Sequence, residues 1–258
     1  VWQQADFCCL DWNPNPKSCS FGANCRRRRR RTFCRATMAA WPKGVSLSYA
    51  SYESTSTECS RAPVVILHGL FGSKNNWKSI SKAMVRTTGR KVYALDTRNH
   101  GDSPHTEDMD YLLMATDLEL FCKERGLQEA AILGHSMGGR VAMTFALTQV
   151  HDVVKLLLTN LRKGECSYEW QFNAETLESC ARNITQMPEL KGLTYDGRVL
   201  FICGRNSICV REEHHGPIRE RFPKANIVYV ENAGHWVQAD KPAEFLELVT
   251  NFLKDDDT

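Results

Sequence analysis

From residue 45 onward, short apolar runs alternate with stretches whose apolar residues recur at helical spacing, and few architectures accept that order. Runs at 45–49, 64–67, 91–95, 130–133, 153–158, 199–203 and 227–230 predict strands. They are rich in Val, Ile and Leu, as strands covered on both faces are. Helical patterns occupy 74–87, 111–125, 139–147, 212–221 and 242–253. The last is the clearest: Phe245, Leu248, Val249, Phe252 and Leu253 share one face, and Pro242 suits a first helical turn. Such alternation predicts an α/β fold, a mostly parallel central sheet with helices on both faces. With 258 residues and 42% apolar content, the chain can bury one sizeable core. No apolar run reaches the roughly 18–20 residues of a spanning helix, which predicts a soluble chain with no membrane span.

Gly134-His135-Ser136-Met137-Gly138 lies between the run Ala130-Ala131-Ile132-Leu133 and the helical pattern that starts at Gly139. A strand that delivers a serine into a sharp turn, with glycine on both sides and a helix behind, is a nucleophile elbow. The serine needs a base, a group that orients the base, and donors for the oxyanion. His235 follows the run at 227–230 in the loop Glu231-Asn232-Ala233-Gly234-His235-Trp236 and is the candidate base. The run at 64–67 feeds His68-Gly69-Leu70-Phe71-Gly72-Ser73, where glycine lets main-chain N–H groups approach a ligand. The amides of Leu70 and Met137 are the candidate oxyanion donors, with Phe71 as the alternative to Leu70. Leu70, Ser136 and His235 all follow strand ends, where ligands bind on open α/β sheets.

Four segments carry a resemblance: His68 to Ser73; Asp96-Thr97-Arg98-Asn99-His100-Gly101-Asp102-Ser103-Pro104; Gly134 to Gly139; and Ala233-Gly234-His235-Trp236. Together they resemble the α/β-hydrolase superfamily, and Gly204-Arg205-Asn206-Ser207 narrows the likeness to a branch of mitochondrial and small bacterial ester hydrolases. The resemblance covers about residues 45–253. It implies an α/β-hydrolase fold, a small-molecule acyl or lipid ester substrate of acylglycerol type, a Ser-His-acid triad, no metal, no cofactor and a mitochondrial matrix location.

The acid is the difficult part. Many such hydrolases carry an aspartate just after the penultimate strand, where this chain has Gly204-Arg205-Asn206-Ser207. Related esterases supply one at the end of the strand after the elbow helix, where this chain has Asn160. An amide in place of the triad carboxylate costs roughly 10⁴-fold in turnover in a serine protease. The helical cap that relatives place after that strand is largely missing, so Glu175 becomes the candidate acid. Asp96 precedes the serine and reads as a structural group bonding its own loop. Loss of the cap predicts exposed apolar wall around Phe71, Met137 and Trp236.

Residues 1–37 are foreign to the rest. Lys17, Arg26 to Arg31 and Arg35 stand against Asp6 and Asp11, a net of +6 within a chain total of +3. The expected division is a basic, unstructured extension at 1–37 and an α/β-hydrolase domain at 38–258. The extension reads as a presequence, as spurious sequence ahead of a start at Met38, or as a nucleic-acid tail; no nucleic-acid partner is expected. The cysteines beyond it, Cys59, Cys122, Cys166, Cys180, Cys203 and Cys209, lack ligand spacing and read as reduced thiols. The functional expectation is a serine ester hydrolase; the alternative is a catalytically impaired, cap-deleted variant acting as a binding or scaffold module. Oligomeric state has no signature in the chain.

Overall fold

The computed structural model describes residues 43–54, 61–148, 153–159 and 173–254. The expectations for residues 1–37, Asn160 and the cap region fall outside these. Seven strands form one sheet: β1 (Tyr49–Tyr52), β2 (Val64–Leu67), β3 (Val92–Leu95), β4 (Ala130–His135), β5 (Val153–Thr159), β6 (Arg198–Gly204) and β7 (Ala225–Val230). Their order is β1-β3-β2-β4-β5-β6-β7. Only β1, on β3, pairs antiparallel; the other pairs are parallel.

The helices are α1 (Lys78–Thr88), α2 (Tyr111–Glu124), α3 (Met137–Thr148), α4 (Ala174–Ser179), α5 (Ala181–Thr185), α6 (His215–Arg221), α7 (Val237–Asp240) and α8 (Pro242–Lys254). Two apolar layers sandwich the sheet. Ile80 and Met84 of α1 pack with Phe245, Val249 and Phe252 of α8 over Val64 and Ile66. On the other side Met114, Leu118 and Phe121 of α2 join Val141 and Phe145 of α3 over Val65 and Leu67. The even residues of β2 enter one layer and the odd residues the other, so this strand has no polar face to show. The amphipathic face expected at 242–253 is the buried face of α8, although Leu248 is only partly covered.

The first strand differs from its expected place at 45–49. Val45 N–H donates to Asp117 Oδ1 at 2.7 Å and Ser48 N–H to Ser103 Oγ at 2.9 Å. These side chains take the donors a ladder would use, and pairing with β3 begins at Tyr49.

Topology places the site. After β2 the chain crosses to β3 on one side, then returns to β4 on the other. A crevice therefore opens between the carboxyl ends of β2 and β4, where the winding direction reverses. The His68–Ser73 turn and the Ser136 turn leave these two strand ends.

Candidate active site

Ser136 has φ 51°, in the left-handed region that non-glycine residues rarely occupy. It precedes α3, and its carbonyl accepts the Arg140 N–H at 3.1 Å. The turn is tight enough to need both glycines. A Cβ on Gly134 would stand 2.4 Å from the Gly138 carbonyl oxygen, and one on Gly138 2.4 Å from that of Leu67. The start of α3 thus lies directly on the end of β2. The Met137 N–H, in the first helical turn, has no acceptor within the helix, and it sits beside the loop that starts at His68.

That loop is braced by imidazoles. His68 is buried; its Nδ1 is 2.7 Å from the Gly69 carbonyl, and its Nε2 accepts the Thr97 N–H at 3.0 Å. His100, also buried, has Nδ1 3.0 Å from the Arg98 carbonyl, and its Nε2 accepts the Phe71 N–H at 3.4 Å. Burial holds both rings below the usual imidazole range, His100 down to about 3. Gly72 N–H closes the turn onto the Gly69 carbonyl at 3.0 Å. The amides of Phe71 and Gly72 are therefore engaged inside the loop, whereas Leu70 is half-buried at its head.

On the far side of the sheet centre, the loops after β6 and β7 are zipped together. Arg205 N–H donates to the Val230 carbonyl and Asn206 N–H to that of Ala233, both at 3.0 Å. A Cβ on Gly204 would lie 1.8 Å from the Gly234 carbonyl oxygen, so only glycine permits this approach. The zip places Ser207 Oγ 3.1 Å from Nδ1 of His235. The nitrogen that a triad acid holds faces a hydroxyl here.

His135 joins the two halves. It is buried, with its ring centroid 5.7 Å from that of Trp77 and 5.6 Å from that of Trp236. Its ring centroid is 6.3 Å from that of His235, and burial holds it neutral, well below the usual range. The residue preceding the elbow serine thereby packs against the histidine loop. Ser136 and His235 border one cavity of about 120 Å³, with apolar walls from Met143, Leu147, Phe201, Val210 and Phe222.

Of the five expected site residues, the structure brings Ser136 and His235 to this cavity. Leu70 and Met137 lie on the two main-chain segments that meet at the ends of β2 and β4. Glu175 is not brought in. It is exposed in the first turn of α4, whose neighbours Thr176 and Leu177 are buried instead. Thr176 Oγ1 donates to the Thr106 carbonyl at 2.8 Å, and Asn173 N–H donates to that of Asn99. These bonds seat α4 on the loop after β3, and Glu175 is not among the residues lining the cavity. Asp96 is fully buried and serves its own loop: it accepts the N–H groups of Lys74 at 2.6 Å and Asp102 at 2.9 Å and pairs with the Lys74 ammonium. The apolar wall is only partly exposed as expected. Phe71 is 60% exposed, but Met137 is buried because it points into the layer between the sheet and the helices α2 and α3. Among the described residues no group of three or more potential metal ligands occurs, and no helix is long and apolar enough to cross a membrane.

Known proteins share this fold. A family model described as alpha/beta hydrolase fold matches residues 62–186. The sn-1-specific diacylglycerol lipase ABHD11 of Mus musculus is 36% identical over 260 aligned residues, covering 79% of this chain and 84% of that protein. The chain belongs to the α/β-hydrolase family. This hydrolase is also 26% identical to Esterase YbfF of Escherichia coli strain K12, covering 79% of the chain and 97% of that esterase. Among solved structures, a marine microorganism esterase superposes on the hydrolase with TM-score 0.72 at 27% identity, covering 81% of this chain and all of that one. The α/β-hydrolase is a carboxylic ester hydrolase.

Proposed function

We propose that this hydrolase cleaves acylglycerol-type lipid esters with Ser136 as nucleophile, His235 as general base and acid, and the amides of Leu70 and Met137 as oxyanion donors. The observation that carries the reading is that Ser136 and His235 border one apolar cavity beyond the ends of the strands that lead to them. In the first step Ser136 Oγ attacks the ester carbonyl while His235 Nε2 takes its proton. The oxyanion forms where the start of α3 meets the end of β2. The Phe71 amide is spent on His100, which favours Leu70 as the second donor. Collapse expels the alcohol, which receives the proton from His235, and water then repeats the sequence to release the acid.

Ser207 takes the orienting role expected of Glu175. A hydroxyl accepts Nδ1–H and so selects the productive tautomer, but it brings no negative charge to the imidazolium. Turnover below that of a carboxylate triad follows. The apolar cavity suits an acyl chain, and the name of the Mus musculus relative supports a glyceride ester. Loss of the cap belongs to the same proposal. The alignment with that relative is longer than the stretch of this chain it covers, so part of it has no counterpart here. Mitochondrial location is proposed from the arginine-rich, acid-poor segment 1–37.

The test is active-site labelling of the full chain with a fluorophosphonate probe, alongside Ser136→Ala and a fatty-acid release assay on diacylglycerol. Labelling and release that both vanish in the variant support the reading. A chain that folds but never labels is the impaired alternative.

A further inference from the structure

A cysteine shares this cavity with Ser136. Cys209 is half-buried in the loop after β6, with Sγ 3.9 Å from His235 Nε2. Its N–H donates to Ser207 Oγ at 3.3 Å, the same oxygen that faces His235 Nδ1. The imidazole is thus held between a hydroxyl and a thiol, and the nitrogen that a serine hydrolase uses as base faces sulfur. The other described cysteines are placed differently. Cys180 and Cys203 are buried, burial pushes the Cys122 thiol up to about 12, and none of the three borders the cavity.

A base able to take a proton from an alcohol takes one more readily from a thiol, and the thiolate is the better nucleophile toward soft carbon. We propose that Cys209 is a second nucleophile of the cavity, activated by His235, that captures α,β-unsaturated carbonyl compounds carried on an apolar chain and thereby silences Ser136. The inference rests on the reading of Ser136 and His235 given above. His235 Nε2 takes the thiol proton, and the sulfur adds to the β-carbon as the carbon–carbon π bond breaks. The resulting enolate takes the proton back from His235 at its α-carbon. A carbon–sulfur bond has formed, the proton has returned and no oxidant is consumed. Met143, Leu147, Phe201, Val210 and Phe222 offer the chain an apolar wall, and the adduct then stands against Nε2 in a cavity of about 120 Å³.

The test treats the full chain with trans-2-nonenal near neutral pH, maps adducts by peptide mass spectrometry, and then applies the fluorophosphonate probe. Cys209 is expected to react at least about tenfold faster than Cys122, Cys180 or Cys203, and at least about tenfold faster than Cys209 itself in the urea-unfolded chain. His235→Gln is expected to remove that advantage. Ser136 labelling should fall in step with the adduct, and in Cys209→Ala the enal should leave labelling as it was before treatment. Equal rates in folded and unfolded chain, or equal loss of labelling in Cys209→Ala, overturn the proposal. Ser136→Ala separates the two readings. A fast Cys209 adduct there supports the thiol whatever the probe reports about the serine, and a slow one overturns it.

Discussion

Ser207 and Gly134 show how much of this site depends on single atoms. If Ser207 orients His235, then Ser207→Asp places a carboxylate within reach of Nδ1. It is expected to raise turnover of a p-nitrophenyl ester by roughly tenfold or more, part of the ~10⁴-fold that separates a carboxylate from an amide in a triad. Ser207→Ala is expected to lower kcat with little change in KM, because the hydroxyl touches the base and not the substrate. Unchanged kcat in both variants would assign the orientation of His235 to another group. Gly134→Ala drives a methyl to 2.4 Å from the Gly138 carbonyl oxygen, with backbone on both sides of the clash. It is expected to cost about 1–3 kcal/mol or more, read as a lower urea midpoint together with loss of fluorophosphonate labelling. A variant that keeps both would show that the turn has slack.

Helix α2 is held to the site loops by charge as well as by packing. Arg98 reaches Asp117 through two bonds of 2.6 Å with both side chains almost fully buried, and Asp117 also receives Val45 N–H. Asp117→Ala strands the guanidinium and is expected to cost about 3–5 kcal/mol in a urea unfolding series. A loss below about 1 kcal/mol would place the pair in water. Other elements differ in how plainly the order of residues declares them. Strands β2 to β7 and helices α1, α2, α3 and α8 announce themselves because an apolar run or face has nowhere to go but the core. Helices α4, α5 and α7, of four to six residues, are too short for a period to register. The start of β1 departs from its apolar run because Asp117 and Ser103, distant in sequence, claim the donors there. Within the site, the meeting of Ser136 and His235 at one cavity is readable from motif and position. The contact of Ser207 with His235 is not, although Ser207 follows the strand where an acid usually sits. A serine in a loop is unremarkable until Gly204 lets two loops close on each other. Position along the chain singles out Glu175, and the seating of α4 on the loop after β3 turns it outward.

At the scale of the whole molecule, the three buried imidazoles among the described residues, His68, His100 and His135, set a response to acid. His68, His100 and His135 are all held below the usual range with burial as the main cause, His100 down to about 3 from 6.5. The folded chain keeps these rings neutral while the unfolded chain protonates them. The unfolded state therefore binds more protons as pH falls below 6.5, and stability declines in that direction. The urea midpoint is expected to be level above about pH 7 and to fall between about pH 6.5 and 5, with up to ~1.4 kcal/mol per pH unit from each ring. His100→Gln should flatten that slope by one proton, and a midpoint independent of pH in this window would show that these rings already titrate in the folded chain. The contact of Gly138 with the main chain of Leu67 and His68 has a consequence at this scale too. The foundation of the Ser136 turn is laid by backbone against backbone, with no side chain between. The floor beneath Ser136 therefore rests on how closely two chain segments approach, not on which side chains surround them.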